Sequence, residues 1–224
     1  MYSIKKVNVP EGKSGEWSIE VFTVDRIDFR SLTHGRMAPP VGEKFTRLVR
    51  GGTLVMSDTP AEMRDHSYPV HRAQDNVLIA GLGLGMVLDA IASKPEVNKV
   101  TVIELSTDVI SLVAPTYRAK FGDKVEIINA DILTWKPPKG SFYDTAWFDI
   151  WDNICSDNVE QMKLLSRRFG RIARYKGFWC RAECERQYRA DKRDNIYFDL
   201  VMNNARALEQ SFNKIKSTIE GTKL

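Results

Sequence analysis

The chain is poor in cysteine, with three (Cys155, Cys180 and Cys184) among 224 residues. An odd count at these spacings excludes a disulfide framework as the basis of the fold and points to a reducing compartment. Histidine is as scarce. His34, His66 and His71 are not spaced with the cysteines as a zinc-ligand set, so no metal site is expected. No apolar run approaches the roughly 20 residues that a membrane span requires. The opening MYSIKKVNVP also lacks the apolar stretch of about 7–15 residues found in a secretory signal. A cytoplasmic protein without membrane contact is the expectation. Internal repeats and low-complexity tracts are absent as well.

What is present suits a globular α/β chain. Apolar residues make up 43% and charged residues 28%, and the length allows one packed domain with a modest extension. The net charge of +4 is unevenly placed, because residues 163–193 hold 11 Lys and Arg against 3 Asp and Glu, a local +8 against −4 elsewhere. Such a stretch is either a solvated helix face or a contact for something acidic. No helix-turn-helix, zinc-finger or RNA-binding signature accompanies it, so nucleic acid is neither indicated nor excluded.

Residues 16–27 and 44–57 alternate apolar and polar side chains as half-buried strands do. Gly51-Gly52 between LVR and TLV reads as a hairpin turn, since both positions tolerate positive φ. In Thr59-Pro60-Ala61-Glu62, Thr59 is the expected N-cap, Pro60 the first helical residue and Glu62 the partner in a capping box. From Asp75 strands and helices alternate, with strands in NVLIAG, KVTVIEL, KVEIINA, DTAWFDI and GFWCRA (177–182) and a helix over 157–174. Alternation at this length predicts a mainly parallel sheet with helices on both faces, whose ligands gather at the carboxyl ends of the strands. In segment 195–222, Val201, Ala205, Leu208, Phe212, Ile215 and Ile219 form one apolar helical stripe. It would pack on the domain's own sheet or serve as a homodimer seam. The expected organisation is an N-terminal β-region with a first helix (1–72), a nucleotide-binding α/β domain (73–190) and a C-terminal amphipathic helix (191–224).

The chemistry begins at VLIAGLGLGM, residues 77–86, where Gly81, Gly83 and Gly85 alternate after a buried strand. A dinucleotide fingerprint requires G-x-G-x-x-G, and Met86 breaks that pattern. Glu104 ends the next strand, 23 residues beyond Gly81, where a carboxylate can accept bonds from ribose hydroxyls. These features alone also suit NAD. Asp131 closes the third strand, in IINADIL, where an acid can accept a bond from an adenine amino group. Glycines, Glu and Asp at successive strand ends resemble the class I S-adenosylmethionine-dependent methyltransferase superfamily, from about Asp75 to Ala182. The resemblance implies a Rossmann-like sheet preceded by the small antiparallel β-region. It also implies S-adenosyl-L-methionine as cofactor, held by Gly81, Gly83, Gly85, Glu104, Asp131 and Ile132. The plain alternative is that the two acids are solvated strand ends. NAD is the weaker reading, because too little chain follows the third strand for the rest of a dehydrogenase.

WFDIWDN, residues 147–153, puts Asp149 and Asp152 at the end of the fourth strand. With the upstream β-region and EMRDHSYP (62–69), this is similar to the spermidine synthase family over roughly residues 44–152. There are departures. Leu84 stands where the aminopropyltransferases usually carry Asp in the glycine loop, Pro60-Ala61 replaces their Tyr-His, and TLVMS has no Gln. By the resemblance, the missing Asp would disfavour a donor carboxylate. Leu84 therefore makes ordinary S-adenosylmethionine the expected ligand.

Methyl transfer to a small-molecule acceptor follows as the leading expectation, with Asp149 as base or substrate-orienting group and Asp152 second. Trp151 would stack on a cation or pack under the loop. Glu62 would face the substrate or cap its helix. His66 reads as a surface histidine rather than part of a lid. His34 and His71 have no evident partner. The Asn/Asp-Pro-Pro-Tyr signature of methylation at exocyclic base amines is absent. Aminopropyl transfer to a polyamine is the alternative reaction. A non-catalytic scaffold or regulatory subunit keeping this fold is the alternative outside enzymes. Apolar alternation gives no clear sixth or seventh strand after GFWCRA.

Overall fold

A computed structural model describes residues 4–26 and 38–221. Of residues 199, 205 and 207–221 it describes the backbone but not the side chains. His34 lies outside the described residues.

The N-terminal part forms an antiparallel sheet in chain order, of strands β1 (Gly12–Ser14), β2 (Trp17–Thr23), β3 (Lys44–Arg50) and β4 (Thr53–Ser57). The β3–β4 hairpin turns at Gly51 and Gly52, whose φ values of 55° and 83° are the positive ones that two glycines allow. Asp58, 1% exposed, ties this sheet together by accepting bonds from the Val7 N–H at 2.9 Å and the Thr46 N–H at 2.6 Å. Two short helices follow, α1 (Pro60–Asp65) and α2 (Ser67–Arg72). Thr59 takes the N-cap position as expected, but the capping box does not form. No side chain caps α1, and the Thr59 hydroxyl instead meets that of Ser57 at 3.0 Å.

The rest is a five-stranded parallel sheet of β5 (Asp75–Ala80), β6 (Val97–Glu104), β7 (Val125–Asn129), β8 (Tyr143–Phe148) and β9 (Ala173–Phe178), in spatial order β7-β6-β5-β8-β9. Its helices are α3 (Met86–Ala92), α4 (Thr107–Phe121), α5 (Asn158–Arg168) and α6 (Arg181–Gly221). Side chains on a strand alternate faces, and two cores result. Val77, Ile79, Val100, Val102 and Trp147 pack with residues of α3 and α4 on one face. Leu78, Ala80, Ile103, Ala146 and Phe148 pack with Val159, Met162 and Leu165 of α5 on the other. Burial on both faces explains why the central strands read as continuous apolar runs. The sheet is the expected α/β architecture. The chain leaves β7 and re-enters beyond β5 at β8, so strand order reverses at the β5/β8 boundary, where sheets of this kind open a crevice.

Three boundaries differ from the sequence reading. Helix α5 stops at Arg168 rather than 174, with Phe169 as its C-cap, so the last strand occupies 173–178 instead of 177–182. Helix α6 begins at Arg181 and runs unbroken for 41 residues, so the division expected at 190/191 falls inside one helix. Of the apolar stripe only Val201 has a described side chain, and it is 45% exposed. Ala205, Leu208, Phe212, Ile215 and Ile219 lie outside the described side chains. No described helix is long and apolar enough to cross a membrane.

Candidate active site

A cavity of about 460 Å³ opens over the carboxyl ends of β6, β5 and β8, roofed by β3, β4 and α1 of the N-terminal part. All six residues expected to hold a cofactor, or their immediate neighbours, stand at this rim, and Asp149 and Asp152 share it. Gly81, Gly83, Glu104, Asp131, Ile132, Asp149 and Asp152 line the cavity, while Gly85 is buried beneath it.

The glycines are required by what surrounds them. Gly81 has φ 93°, and a Cβ there would lie 1.9 Å from the Asp149 carbonyl oxygen. Gly85 has φ 74°, and its Cβ would enter the Tyr117 ring at 2.0 Å. Gly83 leaves room for the Met56 sulfur, which accepts the Leu84 N–H at 3.2 Å. The N–H groups of Gly81, Leu82, Leu84 and Gly85 are all bonded within the protein. The loop therefore offers a close backbone approach more than a cradle of free donors, which suits a sulfonium better than a pyrophosphate.

Glu104 is 9% exposed. One of its oxygens accepts the Leu82 N–H and the other the Ser106 N–H, both at 2.7 Å. Burial raises its carboxyl above the ordinary value, against the lowering effect of these backbone donors. Each carboxylate oxygen keeps a second lone pair, so the pair can still accept from a diol at the cavity. Asp131 binds the Leu133 N–H at 2.8 Å through one oxygen, which shapes the loop after β7. Arg168, distant in sequence, holds that loop from below. Its guanidinium donates to the carbonyls of Ile132 (2.8 Å), Leu133 and Trp135 (2.6 Å). One member of the basic stretch is thus a structural clamp. Others, such as Lys163, Arg174 and Arg181, pair with Glu160, Asp144 and Glu185.

At the β5/β8 end the two aspartates stand in opposite settings. The side chain of Asp149 is 22% exposed and meets His66 Nε2 at 3.5 Å. Burial pushes its carboxyl well above the usual carboxylate range, and the charges of Glu62 and Asp65 push it further. Asp152 lies at the surface and is held by Arg50, whose guanidinium also lies over the Trp17 ring at 5.3 Å. Trp151 is half-buried, lines the cavity and donates its indole N–H to Gln161 at 2.7 Å.

One reading is corrected. His66 is not at the surface. It is 1% exposed and stands edge-on to Trp147 with ring centroids 5.8 Å apart, because the break between α1 and α2 turns it inward. Leu84 does not reach the cavity. It is fully buried in the core, with its carbonyl bonded to the Tyr117 hydroxyl at 2.8 Å. The loop carries no carboxylate at this position, which is what the departure from the aminopropyltransferase pattern implies. Arg50, Met56 and Arg168 carry no local motif that marks them in the sequence. Among the described residues no group of three His, Cys, Asp or Glu is placed to hold a metal.

No family model matches the chain. It is 31% identical over 152 residues to polyamine aminopropyltransferase 1 of Streptomyces coelicolor, covering 63% of this chain and 28% of that protein. It is 28% identical over 145 residues to the polyamine aminopropyltransferase of Oceanobacillus iheyensis, covering 59% and 28%. The chain thus spans less than a third of the length of these curated relatives. Among solved structures, spermidine synthase from Thermotoga maritima aligns over 73% of this chain and 52% of that one, with TM-score 0.43 and 18% identity. N-methyltransferase NodS from Bradyrhizobium japonicum aligns over 50% and 64%, with TM-score 0.37 and 17% identity. The resemblance read from the motifs is therefore shared with proteins carrying the aminopropyltransferase name.

Proposed function

We propose that the chain is a transferase that binds S-adenosyl-L-methionine across the sheet rim and methylates an amine of a small acceptor held beside Asp149. The observation that carries this reading is the order of groups in one cavity: Asp131, Glu104, the glycine loop and Asp149, at the ends of neighbouring strands. Asp131 and Ile132 would face the base and Glu104 the ribose, with Gly81 letting the chain of the ligand pass. When bound, the donor supplies an electrophilic methyl carbon. The acceptor nitrogen's lone pair forms the N–C bond while the C–S pair stays on sulfur.

Asp149 takes the proton that the acceptor nitrogen must lose. A carboxyl raised by burial and by Glu62 and Asp65 is a stronger base than an exposed one, and so better matched to this task. His66 orients it through the 3.5 Å contact. Five carboxylates line the cavity, those of Glu62, Glu104, Asp131, Asp149 and Asp152, which favours a cationic or amine acceptor over an acidic one.

Aminopropyl transfer from decarboxylated S-adenosylmethionine to a polyamine is the second reading. It is supported by Glu62 and Asp149 on the cavity wall and by the names of the curated relatives. Titration calorimetry separates the two. S-adenosylmethionine and its demethylated product are expected to bind, and absence of binding by both at millimolar concentration refutes the proposal. Tighter binding of the decarboxylated donor than of the parent compound selects the second reading. Turnover with a labelled methyl donor and a panel of amines then identifies the acceptor class.

A further inference from the structure

The cavity holds one basic side chain among its described lining residues, Arg50, against five acids. Any ligand that brings a carboxylate into it has that one group to meet. Arg50 ends β3 at the glycine hairpin and reaches a residue 102 positions away, Asp152. The position of the pair along the rim follows from strand order. A ligand whose sugar lies on Glu104 at β6 and whose chain crosses Gly81 at β5 continues toward β8, and Asp152 lies three residues past Asp149 at that end. The Arg50 side chain is 46% exposed, and its guanidinium carbon lies over the Trp17 ring, 5.3 Å from the centroid. Its fork carries five N–H donors and is preorganised for planar carboxylates.

We propose that Arg50 is the specificity-determining residue for the donor's amino-acid end, exchanging or sharing Asp152 for the donor's α-carboxylate and so selecting a carboxylate-bearing donor over a decarboxylated one. The inference rests on the adenosyl-donor reading above and adds to it the group that reads the tail. Asp152 is then a placeholder that keeps Arg50 aimed at the cavity before the donor arrives. It also sets a threshold, because the incoming carboxylate competes with a charge already there.

The test is calorimetry with three ligands on the full chain: S-adenosylmethionine, its decarboxylated form, and 5′-methylthioadenosine, which lacks the amino-acid tail. In Arg50→Gln the dissociation constant for S-adenosylmethionine is expected to rise about 10- to 100-fold, the loss of charge-assisted hydrogen bonds. The other two ligands should change by less than about 3-fold by the same reasoning, since neither carries the carboxylate. Asp152→Asn removes the competing anion and should tighten S-adenosylmethionine by a few-fold, the opposite sign from its partner. An equal loss for all three ligands in Arg50→Gln means the pair is a brace between the two sheets, and overturns the inference. So does unchanged binding of S-adenosylmethionine, or a loss in Asp152→Asn that matches that in Arg50→Gln. Methylthioadenosine reports folding of the variants. If S-adenosylmethionine and its demethylated product both fail to bind the unmodified chain at millimolar concentration, the adenosyl-donor reading falls, and this inference with it.

Discussion

Asp149→Asn should separate function from stability. The carboxyl of Asp149 is pushed up by burial first, then by Glu62 and Asp65, so its charged form is disfavoured by its surroundings. The folded chain binds the Asp149 proton more readily than the unfolded chain does. The contribution of Asp149 to stability is therefore greatest below the ordinary value of 3.8. It falls as pH rises through the window from there to the raised value, and stays reduced above it. Asn keeps the shape and removes the charge. Relief of one partly buried, acid-flanked charge is worth about 0.5–2 kcal/mol. For a chain of 224 residues that corresponds to a Tm higher by about 1–8 °C near pH 7. The difference from the parent should shrink as pH falls toward 4. Loss of a general base should at the same time lower kcat by about 10²- to 10⁴-fold. In the parent, the rate should rise with pH along an acid limb placed above the ordinary carboxylate range. Scanning calorimetry at pH 4 and 7, with turnover on the acceptor the amine panel identifies, checks both halves. A lower Tm at pH 7 would refute the electrostatic reasoning. Retained turnover would refute the base assignment.

Other expectations follow from contacts at the rim. Glu104→Ala should weaken donor binding by about 1–3 kcal/mol, through loss of the ribose acceptor and of the contacts that hold Leu82 and Ser106. Calorimetry on the folded variant measures it, and unchanged affinity counts against the assignment. Gly85→Ala forces a Cβ into the Tyr117 ring at φ 74° and should cost about 2–4 kcal/mol, read as a lower urea midpoint. Arg168→Ala frees three carbonyls after β7 and should cost about 1–3 kcal/mol. It should also speed hydrogen exchange at residues 132–135, with donor binding weakened although Arg168 touches no ligand.

Much of the fold was legible because its signals are local. The Gly51-Gly52 hairpin is written in two adjacent residues, and the parallel strands in runs of apolar side chains buried on both faces. Helix ends were less legible. Residues 169–174 keep an apolar character that suits either α5 or β9, and the helix gives way at Phe169 because β9 has to pair with β8 from Ala173. The break at His66 is similar. Its sequence does not say whether the ring turns in or out, and the answer is set by Trp147 and Asp149 waiting beneath it.

By itself the sequence determined the strand-end groups, the glycine loop, Glu104, Asp131 and Asp149, because each is fixed by its place at the end of its own strand. Only the tertiary structure decided how those groups are completed: His66 beside Asp149, Arg50 on Asp152, Arg168 beneath the Ile132 loop, and Leu84 in the core rather than at the ligand. The partners in the three pairs are 36 to 102 positions apart. Their meeting depends on how the antiparallel sheet lies over the rim and how the helices pack below it, which no local pattern encodes.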